Sequence, residues 1–261
     1  MELQQMKTKE IEQLLQQTTS DDMSALLELL LLDQRHSVQT IAQRYQRKLE
    51  RQVQEKQRLA AMRQYEQQAK QQGYQWIAGT DEVGRGPLAG PVVAAAVILP
   101  EYAELPGIKD SKKLTQQQRE DLDVLIRQEA VSWAIAEVDE KNIDALNILE
   151  ASRLAMKHAV DDLSVAADFV LVDGLPNPRI QLPSLAIVKG DNKSISIAAA
   201  SIIAKVYRDK LMDVYGQQYP GYGFAEHKGY PTEAHLKAIE KLGPCPIHRM
   251  SFRPLSERMG K

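Results

Sequence analysis

The chain has 261 residues, 33 Lys and Arg against 35 Asp and Glu, and a net charge of −2 at pH 7. A balance this close to neutral neither requires nor excludes a polyanionic partner, so the distribution of charge matters more than its sum. The single cysteine, Cys245, excludes a disulfide within the chain and a thiolate metal cluster.

The longest apolar stretch, Leu88 to Pro100, is too short to span a bilayer. The start, Met1-Glu2-Leu3-Gln4-Gln5, has no basic flank followed by an apolar run of the signal-peptide type. A soluble cytoplasmic protein is expected, with a monomer as the default.

Composition shifts near residue 72. Before it, glutamine is abundant, aromatic residues are few, and glycine and proline are absent. Asp21 and Asp22 open the run Ser24-Ala25-Leu26-Leu27-Glu28-Leu29-Leu30-Leu31-Leu32, which reads as a short apolar helix. Ser37 is a candidate cap for a long helix from Val38 to about Lys70, rich in good helix formers. Its apolar positions are too sparse for sustained heptads. Residues 34–70 hold nine Lys or Arg against three Glu, a local charge of +6. Such a stretch can attract polyphosphate, and it is also the ordinary composition of a solvated helix face. We therefore read 1–72 as a helical N-terminal extension, joined through Gln72-Gly73 to a main domain spanning 73–261.

In the main domain, strands and helices mix. Strands are predicted at Gln75 to Thr80, Val92 to Leu99, Val131 to Val138, Phe169 to Val172 and Leu185 to Val188. Thr115 followed by Gln118 forms a capping box for a helix running to about Glu129. Further helices are predicted at Asn142 to Leu163 and Ser194 to Tyr215, the second with small residues Ala198, Ala199 and Ala200 that permit close packing. Hairpin strands first, then strands alternating with helices, predict an α/β domain with a mixed sheet and helices on its faces.

Three acidic segments follow short apolar strands: Asp81-Glu82, Asp173 and Asp191. In open α/β sheets ligands gather beyond the carboxyl ends of the strands, so neighbouring strands would bring these four carboxylates together. Such a cluster repels itself unless cations neutralise it, and oxygen donors suit the hard ions Mg²⁺ and Mn²⁺. Adjacent strand residues face opposite ways, so Asp81 and Glu82 can share a site only where the strand ends. Directly after them comes Gly84-Arg85-Gly86, where glycines allow close backbone approach and an arginine offers a planar fork for phosphate or sugar oxygens. The bland alternative is a tight turn needing two glycines. Zinc is not expected, because the five histidines show no His-x-x-x-His spacing. The full dinucleotide fingerprint is absent too.

Asp81-Glu82-Val83-Gly84-Arg85-Gly86 resembles the opening signature of bacterial ribonuclease HII. Leu171-Val172-Asp173-Gly174, Lys189-Gly190-Asp191, His227-Lys228-Gly229-Tyr230-Pro231-Thr232 and Gly243-Pro244-Cys245-Pro246-Ile247-His248-Arg249 match in the same order. The resemblance spans about residues 73 to 257 and leaves the first seventy outside it.

It implies a ribonuclease H-like fold and an endonuclease that cuts RNA within RNA–DNA duplexes, including DNA with embedded ribonucleotides. Asp81, Glu82, Asp173 and Asp191 take the places of the family's four catalytic, metal-binding acids. Two divalent ions, Mn²⁺ or Mg²⁺, would sit about 4 Å apart and support direct in-line hydrolysis. Products with 5′-phosphate and 3′-hydroxyl ends are implied.

The resemblance also implies how substrate is chosen. Gly84, Arg85 and Gly86 would read the 2′-hydroxyl, and Tyr230 would pack on the deoxyribose beyond the ribonucleotide. Arg85 favours type II over ribonuclease HIII, which lacks that arginine. Lys112, Lys113 and Lys189 are candidate phosphate contacts, and His248 and Arg249 candidate contacts to the duplex backbone. A noncatalytic hybrid-binding protein is the competing reading, but four self-repelling acids beside a polyanion argue against it. The N-terminal unit could in addition bind a protein partner.

Overall fold

In the computed structural model, which describes residues 3–177 and 179–258, the chain divides into two compact units, Met1–Ala60 and Ala61–Lys261. The first contains α1 (Thr8–Gln17), α2 (Ser20–Leu31) and most of α3 (His36–Met62). Their apolar stripes bury Ile11, Leu15, Leu27, Leu30, Val38 and Ala42 in a small core. Arg35 ties this unit together. Its guanidinium donates to the Leu3 and Met6 carbonyls at 3.0 and 2.6 Å and pairs with Asp33 at 2.7 Å.

The single long helix expected up to Lys70 is two. It starts at His36 and stops at Met62, and α4 (Gln64–Gln71) follows after Arg63. No glycine or proline marks the break. Arg63 there donates to the carbonyls of Glu101 and Ala103, a tertiary contact that no local pattern encodes.

The second unit is built on five strands: β1 (Ile77–Val83), β2 (Val92–Ile98), β3 (Ser132–Val138), β4 (Phe169–Asp173) and β5 (Ser184–Ile187). Their order is β3-β2-β1-β4-β5. β1, β2 and β3 form an antiparallel meander, while β4 and β5 add in parallel beside β1. The helices are α5 (Gln116–Glu129), α6 (Glu140–Leu146), α7 (Ile148–Asp161), α8 (Ile195–Gln218), α9 (Phe224–His227), α10 (Glu233–Leu242) and α11 (Leu255–Arg258). α5 opens with the Thr115/Gln118 capping box expected of it.

β2 is buried at every position because α7 covers one face of the sheet and α8 the other. On the α7 side Ala78, Ala94, Ala96, Ala155 and Ala159 form a core of small side chains. On the α8 side Gly79 permits closer approach still. A Cβ there would lie 2.3 Å from the Ile197 nitrogen and the Ser196 carbonyl carbon.

The helix expected across 142–163 is also interrupted. Asn147 takes a φ of +73° and its Oδ1 accepts from the Leu149 and Glu150 amides, ending α6 and capping α7 in one residue. At the start of α8, Glu66 from α4 accepts from the Ser194 and Ser196 hydroxyls, both at 2.6 Å. The last helix before the strands therefore anchors the helix that lies across them.

Candidate active site

β1 runs three residues further than the sequence suggests. Its pairing with β4 stops at Thr80, while pairing with β2 continues to Val83. Asp81 and Glu82 thus lie on an open strand edge beside Asp173, the last residue of β4. β5 ends at Ile187, opposite Asp173, and leads through Lys189, at a left-handed φ of +56°, into the turn Gly190–Asn192 that holds Asp191. Asp173 Oδ1 accepts from the Gly190 amide at 2.6 Å, which closes this turn onto the end of β4.

The electrostatics follow from this crowding of acids. Burial pushes the Asp81 carboxyl well above the usual range, and the carboxylates of Glu82 and Asp173 push it further. Burial also raises Glu82, and Arg85 only partly offsets it through a 3.0 Å ion pair. Asp191 is raised by burial, with Asp110 and Asp173 adding to the effect. Among the described residues no lysine or arginine forms an ion pair with Asp81, Asp173 or Asp191. An all-oxygen cluster with this excess of negative charge fits a hard divalent cation by its donor chemistry. Among the described residues no three His, Cys, Asp or Glu side chains are already drawn together around one metal position.

Two positions that the sequence does not single out support the cluster. Ser201 of α8 slightly favours the charged form of the Asp81 carboxyl, and its hydroxyl meets that of Ser111 at 2.8 Å. Asn192 donates to Asp191 at 2.8 Å and accepts from Lys113 at 2.5 Å. Lys113, Lys112 and Lys189 are all exposed, and of the three Lys113 reaches the acidic turn through Asn192. The signal for Ser201 was a polar residue in the buried, small-residue stretch of α8.

The loop after β1 forms the second part of the site. Gly84 adopts φ +91°, and a Cβ on it would lie 2.2 Å from the Arg208 guanidinium. Arg85 and Gly86 are exposed. Tyr230 is 41% exposed, and its ring edge is 3.4 Å from where a Cβ of Gly86 would sit, so ring and glycine form one continuous surface.

His248 and Arg249 do not reach that surface, contrary to their expected contact with duplex. They are 3% and 0% exposed. Arg249 donates to the carbonyls of Gly84, Arg85 and Gly90, and so braces the loop from behind. Arg208 does the same for Pro91, Ala89 and Lys228. Burial, and the charge of Arg208, push Arg249 down to about 9, which leaves it protonated at neutral pH.

A mixed five-stranded sheet in this order, with helices on both faces and acids at the strand ends, defines a ribonuclease H-like domain. A crystal structure of ribonuclease H2 from Pyrococcus horikoshii superposes with a TM-score of 0.60 at 28% identity, covering 72% of this chain and all of that one. The chain is 48% identical to a ribonuclease HII of Listeria monocytogenes over 95% of its length and 94% of the relative's. It is 50% identical to one from Lactobacillus delbrueckii subsp. bulgaricus over 98% of each. The family model for ribonuclease HII matches residues 78–254, and that for the ribonuclease HII N-terminal domain matches 7–70. The chain belongs to the ribonuclease HII family and is a metal-dependent endonuclease with ribonuclease H activity on RNA–DNA hybrids. Among the described residues no helix is long and apolar enough to cross a membrane.

Proposed function

We propose that the protein cleaves the RNA strand of hybrids and nicks DNA on the 5′ side of single embedded ribonucleotides, leaving 5′-phosphate and 3′-hydroxyl ends. Asp81, Glu82, Asp173 and Asp191 hold divalent cations, Mn²⁺ or Mg²⁺, in this reading. Bound there, a pair of such ions supplies an activated water and stabilises charge on the leaving 3′-oxygen. The observation that carries the proposal is the meeting of three acid-bearing segments at the open edge of β1, where burial and mutual repulsion raise Asp81 and, among the described residues, Arg85 on Glu82 is the one ion pair made to these acids.

The protein's own groups then select the substrate. Arg85 and Gly86 are exposed while Gly84 is buried behind them, and in this reading the backbone of the Gly84-Arg85-Gly86 loop reads the 2′-hydroxyl that separates ribose from deoxyribose. The Tyr230 ring stacks on the sugar of the next nucleotide, so that a ribose followed by a deoxyribose is recognised as a junction. Arg85, Lys112 and Lys189 are exposed and offer phosphate contacts beside the acids.

The test is an end-labelled DNA duplex containing one ribonucleotide, incubated with Mn²⁺ or Mg²⁺, with EDTA, and with Asp81→Asn as control. A nick 5′ of the ribonucleotide that EDTA and Asp81→Asn both abolish supports the reading. Cutting of long hybrids without that nick would refute junction recognition.

A further inference from the structure

Beneath Tyr230 lie three histidines that the cleavage chemistry does not use. His235 is fully buried and His248 nearly so. His227 stacks on His235 with ring centroids 4.4 Å apart, and Phe224 and Tyr222 enclose the group. Their hydrogen bonds assign the ring protons once the Cys245 amide at 2.9 Å, rather than the Cys245 carbonyl at 3.2 Å or its thiol at 3.1 Å, is taken as the partner of His248 Nδ1. The Cys245 amide donates to His248 Nδ1 at 2.9 Å, so that nitrogen carries no proton and Nε2 does. His248 Nε2 lies 3.1 Å from His235 Nε2 and must donate to it. His235 therefore carries its proton on Nδ1, which donates to the Tyr230 carbonyl at 2.9 Å. His227 is specified separately, since it accepts from the Gly229 amide on Nδ1 and donates to the Tyr222 carbonyl through Nε2 at 2.7 Å.

We propose that His248 and His235 are positioning residues, a directed chain of neutral imidazoles that runs from the Cys245 amide to the Tyr230 carbonyl and holds the Tyr230 ring over Gly86. The chain ends on the residue whose ring the duplex would meet, and each link has one permitted direction. Burying imidazoles costs desolvation that apolar side chains would avoid, and it is offset here only because every ring nitrogen finds a partner. The low pKa of His235, about 4 because of its burial and with the neighbouring histidines adding to the effect, keeps the chain neutral at working pH. The groups facing it are His227, His248, Phe224 and the Tyr230 carbonyl. This inference rests on the reading of Tyr230 as a substrate platform.

The experiment is a double-mutant cycle on full-length protein, measuring kcat/KM on the single-ribonucleotide duplex with Mn²⁺. His235→Leu is expected to lower it about five- to tenfold, the scale of one lost hydrogen bond. His235→Asn, whose side-chain amide can still donate to the Tyr230 carbonyl, should restore most of the loss. In a Tyr230→Ala background, His235→Leu should change the rate less than twofold, because no ring remains to be positioned. Multiplying effects in the double mutant, or an unimpaired His235→Leu, overturns the proposal. An unimpaired Tyr230→Ala instead overturns the platform reading, and this inference with it. Should His235→Leu fail to fold by circular dichroism, His248→Asn serves in its place. It keeps an acceptor for Cys245 and removes the donor to His235. Its loss of rate should likewise vanish in the Tyr230→Ala background, and multiplying effects there overturn the proposal in the same way.

Discussion

Replacing Arg249 with methionine should cost the catalytic domain about 3 kcal/mol and loosen the Gly84-Arg85-Gly86 loop. The guanidinium is fully buried and donates twice to the Gly90 carbonyl, at 2.8 and 2.6 Å, and to those of Gly84 and Arg85 at 2.6 and 3.2 Å. Methionine keeps much of the packing over Phe252 but donates nothing. Each buried acceptor left without a partner costs about 1–3 kcal/mol, and Gly84 and Gly90 present the two most enclosed. Relief of the repulsion between Arg249 and Arg208, and of the burial cost of a cation, offsets part of that sum. Urea unfolding followed by tryptophan fluorescence measures the result, since Trp76 and Trp133 both lie in the second unit. Cleavage of the single-ribonucleotide duplex should fall together with stability, because the carbonyls released are those of the loop proposed to read ribose. A loss below about 1 kcal/mol, the low end of that range, with cleavage unchanged, would show that Arg249 does not brace the loop.

Three further outcomes are expected. Asp81→Asn should abolish cleavage yet raise the metal-free melting temperature by a few degrees, about 1 kcal/mol, because it removes a buried charge that its neighbours repel; a lower melting temperature would mean that the repulsion is already relieved. Gly79→Ala should destabilise the domain by about 1–3 kcal/mol or more, since the added carbon meets backbone of α8 at 2.3 Å and the helix must lift; a melting temperature within a degree or two of wild type would contradict that contact. His235 has its folded pKa lowered from 6.5 to about 4, so the stability it contributes is complete above pH 6.5 and is lost as the pH falls toward 4. That loss amounts to about 3 kcal/mol. His235→Asn should therefore lose less stability than wild type between pH 7 and pH 4.5 in urea titrations, and parallel losses would refute the assignment.

Deleting residues 1–72 is not a clean test of the extension. Glu66 holds Ser194 and Ser196 at the start of α8, directly after the turn that carries Asp191. A deletion to residue 60 spares that link and removes only the first compact unit.

Short-range patterns predicted much of the scaffold. The capping box of α5, the apolar run of β2 and the small residues of α8 are choices made among neighbouring residues, and their elements formed where expected. The acids were visible at the ends of apolar strands, and the strand order brings them into electrostatic contact. Other features were invisible because their causes lie far along the chain. The break at Arg63 depends on carbonyls 38 and 40 residues away. The extension of β1 to Val83 depends on β2 continuing where β4 stops.

His248 and Arg249 show the division most clearly. A histidine and an arginine beside a nucleic-acid motif read as surface contacts, since such side chains are usually exposed. Their partners, His235 and the carbonyls of Gly84, Arg85 and Gly90, lie 13 to 165 residues away. The sequence by itself determined the local elements and the placing of the acids at strand ends, because propensity and periodicity act between near neighbours. Only the tertiary structure decided which polar groups lie at the surface beside the acids and which are buried to hold that surface in place, because a polar side chain is buried only where the fold supplies its hydrogen-bond partners.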